Sequence, residues 1–405
     1  MVGKVDKKIL IIISSLKKGG GAEKVAYTLS RLFKSYLKLE PYFLTFYKYN
    51  FQYKVNNNFC LNEKLSSSLF IKLFKLFFRA KKISEYSKNN NLKISVSFME
   101  EANFPIILAK MLFNKNFKII ISIHQSPSVY GFFYNFLIKL LYPKADKIIS
   151  VSKEIEQILI KNYNIPKEKI KTIYNPHLIN EYQKLANEPL EEKYKKIFRD
   201  SFIFINIGRL TEAKGQWFLI RAFKKASERY PNAKVIILGE GELRKELEDL
   251  IKKLNLQDKV FILGRQENVF KFLKNSDCFI FSSLWEGFGN VLVEALSVNL
   301  PVISTDCKTG PREILCPELD IEKEIRYPYY GKYGVLIKPL PREFIFKSLE
   351  EEPLIKEEEL LSELMIKMIE DENLRERYSN GLKRAKDFDV EKIVREWEAV
   401  IKELK

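Results

Sequence analysis

The chain has 405 residues, of which 46% are hydrophobic and 30% charged, which suits two or three globular domains rather than a disordered or fibrous protein. Its four cysteines lack CxxC or CxC spacing and it has only two histidines, which argues against a zinc site or disulfide framework and favours a reducing compartment. No stretch approaches the roughly 18 uncharged apolar residues of a membrane span, and the first residues lack the apolar core of a signal peptide. We therefore expect a soluble or at most peripheral protein.

The net charge of +17 is unevenly divided between the halves of the chain. Residues 1–200 contain 35 Lys and Arg against 16 Asp and Glu, whereas residues 201–405 contain 34 against 36. This asymmetry predicts two domains with different partners. The basic charge alone would also suit a nucleic-acid-binding protein, but no helix-turn-helix, zinc-finger or RNP signature is found, so we expect no nucleic-acid partner.

Both halves begin in the same way, with an apolar strand, a glycine-containing loop and a helix. In the first half these are Lys8–Ser14, Gly19–Gly21 and Lys24–Phe33, and in the second half the strand starts at Phe202. Runs that are apolar on both faces predict a parallel sheet covered by helices. Further such runs are Ile94–Phe98, Lys118–Ile123, Lys147–Val151, Lys171–Tyr174, Ala233–Leu238, Lys259–Leu263, Cys278–Phe281 and Pro301–Ser304.

The predicted fold is therefore α/β, with two doubly wound Rossmann-like parallel-sheet domains whose ligand loops face a cleft. We predict domains at 1–185 and 198–387, with a C-terminal helix at about 388–405 that can pack back on the first domain. The polar region 178–200 is interpreted as the linker, because the charge balance changes there. The poorly periodic segment 316–359 is interpreted as an insertion.

Glu286 and Glu294 stand eight residues apart in Glu-Gly-Phe-Gly-Asn-Val-Leu-Val-Glu, at a turn between a strand and a helix. Open backbone N–H groups at such a helix N-terminus bind anions and phosphates. One carboxylate can then face a sugar and the other a ribose. The alternative is an exposed acidic loop followed by a glutamate that the helix dipole favours.

Arg209 and Lys214 follow the first strand of the second half, within Gly-Arg-Leu-Thr-Glu-Ala-Lys-Gly. Two cations placed there can neutralise a diphosphate without a metal ion. A solvated basic turn is the alternative. In the first half, Gly20 and Gly21 allow close approach of the backbone to a ligand, or else form a simple tight turn. His124 ends another apolar strand, where an active-site role and a structural role are both open.

The segment Leu69–Ile83 predicts a helix with a basic side, formed by Lys72, Lys75, Arg79 and Lys82, and an apolar side, formed by Leu69, Leu73, Leu76, Phe77 and Ala80. The segment Tyr130–Lys147 is also aromatic and basic. Such helices suit an anionic membrane surface, with lysine stems reaching past apolar groups. The alternative is a helix packed on the core with a solvated basic side.

At these residues the chain resembles glycosyltransferase family 4, the retaining enzymes of GT-B fold. The matching motifs are Gly208-Arg-Leu with Lys214-Gly, Ile237-Leu-Gly-Glu-Gly-Glu-Leu, the run from Glu286 to Glu294, and Thr305-Asp-Cys-Lys-Thr-Gly-Pro-Arg-Glu. Gly-Gly-Ala-Glu near the N-terminus and Tyr142-Pro-Lys-Ala-Asp resemble bacterial enzymes that add N-acetylhexosamines to polyprenyl-diphosphate-linked glycans.

The resemblance implies donor-binding roles in the second half. Arg209 and Lys214 match the cations that hold the donor diphosphate. Asn290 and Val291 match residues that offer backbone N–H groups to phosphate. Glu294 matches the carboxylate that accepts hydrogen bonds from the ribose hydroxyls.

The resemblance also implies the residues around the sugar and the base. Glu286 matches the group that binds the hydroxyls of the transferred sugar, assisted by the backbone of Gly287, Phe288 and Gly289. His124 matches a residue near the sugar. Arg265 matches the segment beside the nucleobase, and Gly20 and Gly21 match the loop where donor and acceptor approach.

The implied reaction is a metal-independent, retaining transfer of an N-acetylhexosamine or hexose from a nucleotide sugar, most simply UDP-linked, to a lipid-linked or oligosaccharide acceptor. The C1–O bond ionises toward an oxocarbenium-like state, while Arg209, Lys214 and the helix dipole stabilise the leaving diphosphate. We expect no cofactor, no metal site and a cytoplasmic protein that is peripheral to the inner face of the cell membrane. Catalytic roles are predicted for Glu286, His124, Arg209 and Lys214.

Other functions stay open for this fold. A sugar-nucleotide epimerase would use the same donor site and invert C2 of the free nucleotide sugar. A phosphorylase would need a lysine-bound pyridoxal group, for which no convincing site is found.

Overall fold

The computed structural model describes residues 8–50, 52–64 and 69–404, except the side chains of Leu69, Phe70 and Lys72. The prediction that Leu69 lies on the apolar side of its helix and Lys72 on the basic side therefore falls outside the described residues. The chain divides into two compact units. The first consists of Met1–Pro176 with Val390–Lys405, and the second of His177–Asp389.

The first unit is built on a seven-stranded parallel sheet in the order β3-β2-β1-β4-β5-β6-β7. Its β-branched, apolar strands are buried on both faces, as a parallel sheet between helices requires. The strands are β1 (Lys8–Ile13), β2 (Glu40–Thr45), β3 (Asn58–Cys60), β4 (Ile94–Phe98), β5 (Lys118–Ile123), β6 (Lys147–Ser150) and β7 (Ile170–Thr172). The helices are α1 (Gly21–Ser35), α2 (Leu69–Asn89), α3 (Glu100–Leu112), α4 (Phe132–Leu141) and α5 (Lys153–Tyr163).

The second unit repeats this plan in the order β10-β9-β8-β11-β12-β14-β13, with only the β13–β14 pair antiparallel. Its strands are β8 (Phe202–Ile207), β9 (Ala233–Leu238), β10 (Val260–Ile262), β11 (Cys278–Phe281), β12 (Val302–Thr305), β13 (Tyr329–Tyr330) and β14 (Val335–Ile337). The helices are α6 (Ile179–Ala186), α7 (Glu192–Phe198), α8 (Gln216–Arg229), α9 (Arg244–Lys253), α10 (Phe270–Lys274), α11 (Asn290–Ser297), α12 (Pro311–Leu315), α13 (Lys356–Glu370), α14 (Glu372–Tyr378) and α15 (Gly381–Ala385).

The last helix, α16 (Val390–Glu403), belongs to the first unit. It packs on α1, where the rings of Phe33 and Trp397 meet edge to face with centroids 5.6 Å apart. Its apolar residues are buried, so α16 is part of the core of the first unit.

The predicted fold class, two doubly wound parallel sheets, is confirmed. Two local interpretations were wrong. Residues 178–200 contain α6 and α7 within the second unit rather than a linker, because apolar residues such as Ile179 and Tyr182 pack into it. The segment 316–359 is not a separate insertion, since β14 is buried and pairs with β12.

A fully buried ion pair fastens the end of this segment to the second unit. Arg221 on α8 donates from Nε to Glu358 at 2.7 Å, and both side chains are inaccessible to solvent. The same guanidinium donates to the carbonyls of Lys347, Glu352 and Pro353. A buried charge is tolerated when its hydrogen bonds are satisfied in this way.

Among the helices in the described residues, none combines the length and the apolar character that crossing a membrane requires.

Candidate functional site

The strand order of the second unit reverses between β8 and β11, which is where ligands bind in open α/β sheets. The loop after β8 covers 208–215, and the loop after β11 covers 282–289. These loops are joined by backbone and side-chain hydrogen bonds. Ser282 Oγ donates to the Lys214 carbonyl at 2.8 Å, and Leu284 N donates to the Ala213 carbonyl at 2.8 Å.

Gly215 allows this close approach of the two loops. It has φ +56°, a left-handed conformation that glycine adopts without strain, and a Cβ there would lie 2.5 Å from the Ser282 carbonyl oxygen. The position of Lys214 is thus fixed by its backbone as well as by its side chain.

Lys214 and Glu286 form an ion pair between the two loops. Both side chains are mostly buried, and Ser283 Oγ donates a second hydrogen bond to the carboxylate at 2.9 Å. The predicted cation and the predicted sugar-binding carboxylate are therefore adjacent. A site that combines both can neutralise an anion and accept hydrogen bonds from hydroxyl groups.

The helix that follows this pair begins at Asn290, after Gly289 with φ +86°. The backbones of Asn290 and Val291 form the first positions of α11, where N–H groups have no partner within the helix. Glu294 lies in the same helix and is buried. Phe288 is buried as well, beside the ring of Phe388 at a centroid distance of 5.5 Å.

A third loop, after β12, supports the loop of Glu286. Thr309 Oγ1 donates to the Glu286 carbonyl. Gly310 has φ +107°, and a Cβ there would lie 1.8 Å from the Phe288 carbonyl oxygen, so the two backbones are in direct contact. No larger residue fits at position 310 without displacing the loop that carries Glu286.

Asp306 connects that third loop to the segment before β13. It forms an ion pair with Arg312 and accepts a hydrogen bond from Tyr327 Oη at 2.7 Å. Arg312 also donates to the carbonyl of Ile321 at 3.0 Å. Burial and the adjacent carboxylate raise the pKa of Tyr327, so its hydroxyl stays protonated and donates.

The loop after β8 also packs against the loop after β9, backbone to backbone. A Cβ on Gly239 would lie 1.8 Å from the Gly208 carbonyl oxygen, and one on Gly241 would lie 2.2 Å from that of Leu210. Arg209 is exposed between them. Arg265 is exposed on the loop after β10, two strands away from β8.

In the first unit, the predicted residues also follow strand ends. Gly20 caps α1, and Gly21 is its first residue. His124 follows β5, where its Nε2 lies 2.9 Å from Ser122 Oγ and its ring packs on Phe98. Burial lowers the pKa of His124 to about 3, so its imidazole is neutral at physiological pH.

A buried carboxylate in the first unit was not predicted. Glu100 begins α3 after Met99, whose φ of +69° is unusual for a residue with a side chain. It accepts hydrogen bonds from the hydroxyls of Tyr130 and Tyr142. Burial raises its pKa. The sequence offered no signal for this cluster beyond a glutamate at a strand end.

The basic side predicted for α2 does not face solvent as a set. Arg79 is buried, stacks on Phe46 and donates to Glu63 at 2.8 Å and Glu101 at 3.1 Å. Lys75 lies 3.3 Å from Glu63. These carboxylates neutralise two of the side chains expected to bind an anionic membrane, and Lys82 lies 2.8 Å from Glu85, so that interpretation of the basic side is not supported.

The predicted site residues thus fall into two groups. Gly20, Gly21 and His124 lie in the first unit, and the other ten lie in the second. Sequence reasoning missed Ser283, Thr309 and Asp306, which position Glu286 or its neighbouring loop. The run from Thr305 to Glu313 is recognisable as a motif, but short polar side chains carry no periodic signal that would assign them a role.

Two family descriptions match the two halves of the chain. Residues 19–177 match Glycosyltransferase Family 4, and residues 188–320 match Glycosyl transferases group 1. A glycosyltransferase of Methanocaldococcus jannaschii is 53% identical over 351 residues, which cover 84% of this chain and 86% of that protein.

A second relative is the N-acetylgalactosamine-N,N'-diacetylbacillosaminyl-diphospho-undecaprenol 4-alpha-N-acetylgalactosaminyltransferase of Campylobacter jejuni. It is 32% identical over 96% of this chain and 98% of its own length. Among solved structures, Anabaena HepE in complex with UDP-glucose is similar with a TM-score of 0.74, over 98% of this chain and 99% of that one, at 20% identity. The likeness of the fold over both units agrees with the GT-B class.

Proposed function

Since this chain belongs to the glycosyltransferases, with a Glycosyltransferase Family 4 match in its first half and a Glycosyl transferases group 1 match in its second, we propose that it transfers a sugar from a UDP-linked donor to a lipid-linked glycan, with retention of the anomeric configuration. The sugar is an N-acetylhexosamine or a hexose. The observation that carries the proposal is the contact between Lys214 and Glu286 at the point where the strand order reverses.

The acceptor class is proposed from the names of relatives. Two Campylobacter jejuni relatives, 32% and 27% identical over nearly the whole chain, act on undecaprenol-linked glycans by their names. An Escherichia coli relative that matches 39% of the chain is an alpha-1,3-galactosyltransferase for a diphosphoundecaprenol-linked sugar. These enzymes differ in sugar and linkage but share a lipid-diphosphate acceptor, so we propose the shared class and leave the sugar to experiment.

The chemistry proposed for the second unit needs no metal ion. The bond between sugar C1 and the diphosphate oxygen breaks, and the negative charge that develops on the leaving group is stabilised by Lys214, by Arg209 and by the dipole at the N-terminus of α11. The acceptor oxygen forms its bond to C1 on the same face. Its proton passes to an oxygen of the departing diphosphate.

The carboxylates have separate proposed tasks. Glu286, oriented by Ser283 and by Lys214, binds hydroxyl groups of the transferred sugar. Glu294 accepts hydrogen bonds from the ribose hydroxyls. The roles of His124, Gly20 and Gly21 near the sugar remain predictions. We also propose that the protein acts at the inner face of the cell membrane, where a lipid-linked acceptor would be available.

The proposal is tested by incubating the purified chain with labelled UDP-GalNAc, UDP-GlcNAc, UDP-Gal and UDP-Glc, together with a lipid extract from the source cells. Transfer of label to lipid with an unchanged anomeric configuration, determined by NMR of the released glycan, is the expected result. Inversion at C2 of the free nucleotide sugar would identify an epimerase. The proposal would be contradicted if none of the four donors were turned over and UDP did not bind to the chain.

Two substitutions separate the roles of the carboxylates. Glu294→Ala should weaken UDP binding and nearly abolish transfer, because a buried ribose contact is lost. Glu286→Ala should mainly lower kcat, because the transferred sugar loses its orientation. Glu376→Ala, at an exposed glutamate of α14, is the matched control. Wild-type kinetics in either test variant would refute that residue's role.

A further inference from the structure

The turn between β4 and α3 in the first unit contains two adjacent features that cost stability. Met99 has φ +69° and ψ 158°, a backbone conformation that essentially only glycine adopts without strain. The next residue, Glu100, is 3% exposed, and no cation within the described ranges of the chain pairs with its carboxylate. Strained backbone and buried ionisable groups are concentrated at functional sites. These costs indicate that the turn serves a function besides holding the fold together.

Glu100 connects a fixed tyrosine to a tyrosine in a loop. Its carboxylate accepts hydrogen bonds from Tyr142 Oη at 3.1 Å and from Tyr130 Oη. Tyr142 is fully buried and packs on the ring of Phe104 on α3, with ring centroids 5.9 Å apart. Tyr130 is partly buried and lies near the end of the loop after β5, which covers 124–131. The carboxylate thus fastens the far end of this loop to the start of α3.

The near end of the same loop is fastened to α3 as well. The carbonyl of Ser122, at the end of β5, accepts hydrogen bonds from Met99 N and Asn103 Nδ2, each at 3.3 Å. Asn103 is itself fully buried, and its Oδ1 accepts a hydrogen bond from Ser97 Oγ at 2.6 Å. Ser122 Oγ lies 2.9 Å from Nε2 of His124, the first residue of the loop. His124 is therefore bracketed by two attachments, and both lead to the start of α3.

Stability alone does not account for the bond between Glu100 and Tyr130. Replacing both partners of a buried hydrogen bond by apolar groups of the same shape is often nearly neutral in stability, so this bond contributes little that an apolar contact could not. A hydrogen bond, however, fixes the direction of the two groups that it joins, because its strength depends steeply on angle. What the carboxylate adds is a fixed orientation of the loop that carries His124.

We propose that Glu100 is a positioning residue, which acts through Tyr130 to hold the loop after β5 so that the His124 ring keeps one orientation. This rests on the proposed function, in which His124 lies near the transferred sugar. A displacement of about 1 Å in a positioned group can lower a rate by roughly 100-fold, so a loosened loop should act mainly on kcat. UDP affinity should not change, because the groups proposed to bind UDP lie in the second unit.

Kinetics of the full chain, with the UDP-sugar that it turns over, test the effect on rate. Tyr130→Phe removes only the hydroxyl and should lower kcat by roughly 10-fold, with UDP affinity and melting temperature unchanged. Glu100→Gln retains an oxygen that can accept the hydrogen bond, and should keep kcat within about 3-fold of the wild type. Tyr86→Phe is the matched control, because the Tyr86 hydroxyl donates to the Asn57 carbonyl at 3.4 Å in the same unit and should leave kcat unchanged.

A double variant shows whether the effect passes through His124. In a His124→Ala background, Tyr130→Phe should lower kcat by less than about 2-fold, because the group that the tyrosine positions is absent. Residues that act independently would instead give the full loss in both backgrounds.

Nuclear magnetic resonance tests the positioning without any turnover. The chain has two histidines, His124 and His177, so selective isotope labelling of histidine nitrogen yields signals from these two rings only. His177 lies in the second unit and is the internal control. Tyr130→Phe should shift or split the ring signals of His124, while those of His177 stay in place. Glu100→Gln should leave both close to their wild-type positions.

Several results would each overturn the inference: wild-type kcat in Tyr130→Phe, unmoved His124 signals in that variant, a Glu100→Gln variant as slow as Tyr130→Phe, and full additivity of Tyr130→Phe with His124→Ala. Shifts at both histidines together with a lower melting temperature would assign the cluster to stability alone. Shifted His124 signals in a chain whose wild type turns over no donor would remove the proposed function but not the positioning. Normal transfer with unmoved His124 signals would remove only this inference.

Discussion

The two units share a strand order but differ in what their strand ends carry. In both, the order reverses beside the first strand, between β1 and β4 in one unit and between β8 and β11 in the other. The second unit places an ion pair there, Lys214 with Glu286, held by loops that hydrogen-bond to each other. The first unit instead carries groups whose charged forms burial disfavours, since the pKa of Glu100 is raised and that of His124 is lowered.

This difference separates the contribution of topology from that of side chains. Doubly wound topology brings loops together at one edge of a sheet, whatever their sequence. The charge at that edge depends on burial and on polar partners. The second unit therefore presents a charged pair at that edge, Lys214 with Glu286, whereas burial disfavours charge on Glu100 and His124 in the first.

The largest effect is expected in the core of the second unit. Arg221→Ala should lower its free energy of unfolding by roughly 3–5 kcal/mol, because Glu358 would remain buried without a cation. Hydrogen–deuterium exchange should show faster exchange in peptides of 177–389 and little change in the first unit. Arg221→Met combined with Glu358→Leu should recover most of the loss. Equal destabilisation of both units would mean that they unfold together.

A second test removes the cation at the strand-order reversal. Lys214→Ala should lower kcat by roughly 10²–10³-fold, the range measured for loss of one group that stabilises developing negative charge. Lys225→Ala, at an exposed lysine of α8, is the control with the same change of charge. Comparable losses in both variants would show that overall charge, rather than the contact with Glu286, accounts for the effect.

Sequence reasoning located the strands and the loops that follow them well, because parallel strands buried on both faces are continuous apolar runs. It failed where polar segments fold through contacts distant in the chain. Residues 178–200 appear as a linker by composition, yet Tyr182 stacks on Phe270 with ring centroids 4.2 Å apart. Nothing local reveals that partner.

The basic helix shows the same limit in another form. Helical periodicity placed Arg79 on a basic side, but it cannot tell that Glu63 and Glu101 lie within hydrogen-bonding distance of it. Those carboxylates give the buried cation its hydrogen-bond partners, and the rings of Phe74 and Phe78 on the same helix are exposed. The periodicity of a helix thus defines its sides, and only the tertiary partners decide which side is buried.

A third prediction concerns the first unit and pH. The ordinary pKa of histidine is about 6.5 and that of His124 is about 3, so below pH 6.5 the unfolded state binds a proton that the native state does not. Stability should therefore fall as pH falls from 6.5 toward 3, by about 2 kcal/mol at pH 5. His124→Asn should remove this part of the acid sensitivity. Glu100 acts in the opposite direction because its pKa is raised, so the difference between wild type and variant isolates the histidine.

The smallest expected effect tests whether the ion pair alone orients the carboxylate. Ser283→Ala removes one hydrogen bond to Glu286, a loss of about 0.5–1.5 kcal/mol, and should lower kcat by roughly 2–10-fold with UDP affinity unchanged. Ser276→Ala removes a hydroxyl that donates to the Phe272 carbonyl at 2.8 Å in the same unit, and should leave kcat at the wild-type value. If Ser283→Ala changes UDP affinity instead of kcat, the hydroxyl acts on the donor diphosphate through Lys214. If neither changes, the lysine is sufficient to hold Glu286, and the polar loops of the second unit serve only to position the cation.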